Sequence, residues 1–158
     1  MHTIRLRGPW QLEPVFRYVR RADGRFERHE NGLPAAARMQ MPADWGAALG
    51  GDFLGRVRYV RTFNAPPGLQ PEERVWLVVE PQRSLARVVM VDETLGEVRA
   101  DGPAQRFDIT HRLSSHNRLE IFVDHPALVD LDGDGEGGGG EWEPGGLVGE
   151  VRLEIEEV

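Results

Sequence analysis

The clearest chemical spacing in this chain of 158 residues is a run of acids separated by glycines, Asp130-Leu-Asp132-Gly-Asp134-Gly135, followed after five residues by Glu141. It matches the spacing of a calcium loop. Carboxylates at alternate positions can turn toward one hard cation, the glycine permits the tight turn, and the final glutamate can close the coordination. Glu136 lies within the same loop and is a further oxygen donor. Two observations weigh against a metal: Gly137 stands where an apolar residue is expected, and Gly137 to Gly140 cost conformational entropy to order. A solvated acidic hairpin is the alternative reading. Calcium is thus the one cofactor that the sequence offers.

Other chemistries find less support. Serine occurs only at Ser84, Ser114 and Ser115, none of them in a Gly-x-Ser-x-Gly elbow. All 19 basic residues are arginine, so Schiff-base chemistry and a phosphate-loop lysine have no amine to use. Cysteine is absent, which removes disulfides and thiolate metal sites. His111, His116 and His125 lack the spacing of a helical ligand pair and read as loop histidines. Carboxylates abound, but a glycosidase pair is defined by a distance that sequence does not supply. The expectation is a chain that is not itself an enzyme.

The formal charge is −7 and unevenly placed: residues 1 to 64 hold 11 arginines against 6 acids, whereas residues 119 to 158 hold 12 acids against Arg152 alone. An acidic chain argues against nucleic acid as a partner, because phosphate binding needs a basic surface. The basic first part is expected to answer the acidic last part within the fold. No apolar run approaches membrane-spanning length, so no membrane partner is expected. The first residues show no apolar leader core, which makes the cytoplasm the expected location.

The elements that must position these groups read as strands. The length suits one well-buried domain over 1–158. At its centre, Gly55 to Phe63 alternates: Val57, Tyr59, Arg61 and Phe63 share one side, Arg56, Arg58, Val60 and Thr62 the other. Arg61 is the only break in the apolar side, and requires an internal carboxylate or a pocket at the sheet edge. Ile4 to Leu12 reads as a strand kinked at Gly8-Pro9, and Val15 to Arg20 with Phe26 to His29 as a hairpin around Asp23-Gly24. Residues 31–55, rich in Gly, Ala and Pro, form a long loop anchored by Trp45, and 124–147 an acidic Gly-rich loop. Five apolar residues in succession from Val75 to Val79 predict a strand covered on both faces. Leu85 to Val91, Gln105 to Thr110, Arg118 to Val123 and Val148 to Glu156 complete the strands, and no stretch has helical periodicity. The class is all-β, an antiparallel jelly-roll β-sandwich.

The order of the motifs resembles the N-terminal sugar-binding domain of glycoside hydrolase family 2, which is galactose-binding domain-like. The residues that carry the resemblance are Pro42-Ala-Asp-Trp45, Gly55 with Arg58-Tyr-Val-Arg-Thr-Phe63, Val75-Trp-Leu77, Ala86-Arg-Val88 with Leu95-Gly96, Phe107-Asp-Ile-Thr110, Asn117-Arg-Leu119 and Gly146 to Leu153. Val91-Asp92 replaces the family's usual Asn-Gly turn, and Val60 a common arginine. The resemblance implies a non-catalytic carbohydrate-binding accessory module, because the family's catalytic glutamates belong to a separate barrel domain. Asp108 resembles a structural carboxylate of the family and is a partner for Arg61 or Arg58; alternatively Arg61 and Asp108 line a polyol pocket. Trp142, among acids and glycines, either stacks on a sugar or pins its loop. Trp10, Trp45 and Trp76 read as core aromatics, and the candidate ligand residues are Trp45, Arg61, Asp108 and Trp142. The expected partner is a carbohydrate or a glycosidase catalytic chain; the alternatives are a protein-interaction module without a sugar site, and one chain of a split glycoside hydrolase.

Overall fold

The Gly8-Pro9 break moves the chain from one sheet to another. In the computed structural model, which describes residues 1–127 and 143–158, β1 (His2–Arg5) lies in a four-stranded sheet and β2 (Trp10–Arg20) in a seven-stranded one. What reads as one kinked strand is therefore two strands in different layers. The others follow as β3 (Phe26–His29), β4 (Ala37–Met39), β5 (Ala43–Asp44), a single helical turn α1 (Gly46–Leu49), β6 (Gly55–Asn64), β7 (Glu73–Val79), β8 (Leu85–Met90), β9 (Glu93–Arg99), β10 (Gln105–Asp108), β11 (His116–His125), β12 (Gly146–Leu147) and β13 (Val151–Glu157). A 3₁₀ turn at Thr110–Arg112 precedes β11.

The smaller sheet has the order β1-β13-β7-β10, and the larger β3-β2-β6-β11-β8-β9 with β4 beside β2. Every pairing is antiparallel. The result is the all-β antiparallel sandwich that the alternation predicts. Val57 and Tyr59 of β6, Leu77 and Val79 of β7, Val88 of β8, Ile121 and Val123 of β11 and Leu153 of β13 belong to one core and are at most 1% exposed. Burying each such aliphatic side chain contributes about 1.5–3 kcal/mol before entropy is counted.

Strand β7 is covered on both faces, as its unbroken apolar run predicts, but its outer cover is made of arginines. Val78 points outward between Arg106 of β10 and Arg152 of β13 and is still only 4% exposed. The aliphatic stems of arginine can shield such a residue while their heads remain solvated.

The segment read as one long loop, 31–55, contains β4, β5 and α1, and β5 pairs with β12. Strand β9 was not foreseen. Only Val98 of its seven residues is buried, and a bulge between Val88 and Val89 shifts its register, so the two-residue alternation is faint. Its connection to β8 is a two-residue turn with Val91 at φ 54° and Asp92 at φ 58°. Positive φ at both central positions is the geometry of a type I′ hairpin turn.

A second irregularity shapes the opposite face. A bulge between Pro14 and Phe16 in β2 places Phe16 opposite the outward Arg56, whereas Pro14 stands opposite the inward Val57. Phe16, Tyr18 and Phe26 consequently form a separate aromatic cluster outside the larger sheet, with Leu54 against it. The backbones approach so closely here that a Cβ on Gly55 would lie 2.1 Å from the Phe16 carbonyl oxygen.

Candidate functional site

Trp45 is fully buried, its indole N–H donating to the Phe53 carbonyl at 3.0 Å and its ring meeting Phe53 and His125 edge-on. It packs the core beneath the β5–β12 pair and is not presented to a ligand. Gly145 is required there: a Cβ would come within 2.7 Å of His125 Cβ and 2.8 Å of Trp45 Cη2.

Arg61 and Asp108 do not form a pair or share a pocket. Arg61 points inward from β6, and its Nε is buried without a hydrogen-bond partner among the described residues; loss of hydration pushes its pKa down. Asp108 stands on the outer face of the smaller sheet, beside Trp76. It accepts hydrogen bonds from the Thr110 Oγ1 at 2.6 Å and the Thr110 amide at 3.0 Å, with Arg74 Nε at 4.0 Å. These contacts, the Thr110 hydroxyl foremost, hold its carboxyl below the usual range. Arg58, the other suggested partner of Asp108, is bound instead by Glu13 at 2.5 Å and Glu120 at 3.0 Å. The reason is the sheet: β6 and β10 belong to different layers, so proximity of motif order does not bring their side chains together.

Trp142 and the calcium-loop residues Asp130, Asp132, Asp134, Glu136 and Glu141 lie outside the described residues. Among the described residues no three metal-ligating side chains come together.

The structure does bring together a set that the sequence hides, on the outer face of the larger sheet. Strand registers lay it out as a grid. One row runs Arg56, Asp124, Leu85, Arg99 across β6, β11, β8 and β9; the next runs Arg58, Phe122, Arg87, Glu97. Between the two rows is a depression of about 110 Å³ lined by Arg56, Leu85, Arg87, Glu97, Phe122 and Asp124. Phe122 and Leu85 are its apolar lining residues.

The charges around it are unequally satisfied. Arg56 grips Asp124 with two hydrogen bonds, Nε at 2.5 Å and Nη2 at 2.8 Å, the fork geometry that suits guanidinium and carboxylate. Arg87 and Glu97 are directly opposite across β8 and β9, yet no ion pair joins them. Arg87 lies over the Phe122 ring, 4.9 Å from its centroid, with its Nε buried and unpartnered, while Glu97 only approaches Arg99 at 4.0 Å. A cationic and an anionic side chain thus line one hollow beside an aromatic ring. Such a site can hydrogen-bond hydroxyl groups while packing against C–H surface.

Sequence reasoning missed this set because its members come from four strands and include one strand it did not foresee. Arg87 interrupting the apolar run of β8 was the available signal.

The class that this fold defines is an all-β antiparallel sandwich. No family model and no curated protein matches the chain. Solved structures do. An FMN-binding β-glucuronidase from Faecalibacterium prausnitzii is similar at a TM-score of 0.70 and 23% identity, covering 98% of this chain and 22% of that one. The Bifidobacterium dentium β-glucuronidase complexed with coumarin-3-O-glucuronide is similar at 0.65 and 19%, covering 98% and 30%. A glycosyl hydrolase family 2 member from Bacteroides cellulosilyticus is similar at 0.63 and 14%, covering 99% and 21%. At these identities the likeness establishes the fold: the chain matches one domain of family 2 glycosidases and spans about a fifth to a third of their length.

Proposed function

We propose that this chain is a non-catalytic, carbohydrate-binding accessory module of the kind that family 2 glycosidases carry within longer chains. The observation that carries the reading is the coverage: 98% of this chain matches 22% of a β-glucuronidase at a TM-score of 0.70. The hollow beside Phe122, lined by Arg56, Arg87, Glu97 and Asp124 as well, supports the reading. A glycan-array screen with the folded chain, run in calcium and again with a chelator, tests it. Saturable binding to a defined glycan is the expected result. Loss of that binding on chelation would assign calcium to the acidic segment from Asp130 to Glu141; binding to no glycan in either condition would overturn the carbohydrate reading.

Arg61 favours a second reading. A half-buried guanidinium with no carboxylate partner among the described residues suits a protein-interaction module in which another chain, such as a glycosidase catalytic chain, supplies the acid. This reading predicts that Arg61→Gln weakens a complex with such a chain and leaves glycan binding unchanged.

A further inference from the structure

We propose that the depression on the outer face of the larger sheet is a binding site for one ring of a neutral sugar, with Arg87 and Glu97 reading its hydroxyl groups. The proposal rests on the carbohydrate-binding reading and specifies where and what the chain binds. Its basis is an anomaly in the charge pattern. Opposite charges directly across antiparallel strands normally stabilise each other by about 0.2–1 kcal/mol. Arg87 and Glu97 occupy such positions without pairing with each other, and both line the same hollow.

The two groups divide the work required by a polyol. A guanidinium can only donate and an ionised carboxylate can only accept, so Arg87 is suited to hydroxyl oxygens and Glu97 to hydroxyl protons. Adjacent hydroxyls on one ring satisfy both at once. Leu85 and Phe122 in the lining, the latter with the Arg87 guanidinium over its ring, offer apolar surface for the C–H side of the same sugar ring.

Charge and size define the ligand further. The lining contains two arginines and two acids, and the Arg56 charge is already neutralised by its fork with Asp124. A carboxylate on the sugar would gain no net attraction, and Glu97 would oppose it. The hollow, about 110 Å³, is small against the roughly 300–1,000 Å³ of drug-sized ligand pockets, so it takes one ring from the side, with the remainder of a glycan extending into solvent.

The test uses neutral hexose and N-acetylhexosamine oligosaccharides and their uronate-bearing counterparts, first on an array and then by calorimetry with the full chain. Wild type is expected to bind a neutral glycan. Arg87→Ala and Glu97→Gln should each weaken it at least fivefold, as expected for loss of a charge-assisted hydrogen bond. Arg106→Ala, on the other sheet, should leave it unchanged. Glu97→Gln keeps the side chain's shape, so its result stands even if Arg87→Ala fails to fold. If both variants bind within twofold of wild type, the site is elsewhere and this proposal falls while the carbohydrate reading survives. Tighter binding of the uronate counterpart overturns the neutral class. If wild type binds no glycan, both fall.

Discussion

Arg56 and Asp124 are directly opposed across β6 and β11 and joined by two hydrogen bonds on the outside of the larger sheet, with side chains only 20% and 10% exposed. Phe16 stacks on the same guanidinium, its ring centroid 5.0 Å from Arg56 Cζ. Asp124 thus fixes an arginine that in turn covers the aromatic cluster formed by the β2 bulge.

Removing one member of that pair leaves the other poorly solvated and uncompensated. Asp124→Ala is expected to destabilise the fold by about 2–3 kcal/mol, and the double replacement Arg56→Met with Asp124→Leu to cost less than the single one. Urea unfolding of the wild type and the two variants measures this. A double variant less stable than Asp124→Ala would contradict it.

The turn between β8 and β9 holds Val91 and Asp92 in left-handed backbone conformations, and Val91 is 64% exposed. A β-branched residue is strained there, by roughly 1–2 kcal/mol. Val91→Asn together with Asp92→Gly should raise stability by about 1 kcal/mol or more, seen as a higher denaturant midpoint at unchanged slope.

Gly55 combines φ 155° with a backbone contact that leaves no room for a side chain. Gly55→Ala should cost more than about 2 kcal/mol, because the obstructing atom is a carbonyl oxygen of β2 and cannot rotate away. Calorimetric melting reports it; a shift of under two degrees would show that β2 can yield.

His125 is buried against Trp45, with Nε2 2.5 Å from the Glu143 carbonyl oxygen. Burial pushes its pKa down; the Arg83 charge acts in the same direction and the Glu143 carbonyl opposes. The folded chain therefore resists a proton that the unfolded chain accepts below its pKa of about 6.5. The contribution to stability is full above that value and is lost as pH falls below it toward the folded pKa. An NMR titration should place the His125 midpoint below about 6.5, and melting curves in this window should be less pH-dependent for His125→Gln. A midpoint above 6.5 would reverse the sign.

The strands that were legible carry their burial in alternation. Val151, Leu153 and Ile155 face inward exactly every second residue in the structure as in the sequence, and the hairpin around Asp23-Gly24 forms with Arg20 opposite Phe26. Strand β9 was illegible because an edge strand with one buried residue needs little apolar sequence. The inward direction of Arg61 was legible; its lack of an acid among the described residues was not. The hollow beside Phe122 was hidden as well, since alternation reveals that Phe122, Arg87 and Glu97 face outward in their own strands and says nothing of which strands adjoin.

By itself the sequence determined the class of fold, the central position of β6, the inward arginine and the absence of cysteine and lysine chemistry, because these depend on residue type and on spacing within one strand. Only the tertiary structure decided that Asp108 and Arg61 are kept apart, and that Arg87, lying over Phe122, stands opposite Glu97 without pairing with it. Those relationships are set by strand order and register between segments far apart in the chain. Local alternation specifies a face, whereas neighbours on that face are chosen by the packing of the whole sandwich.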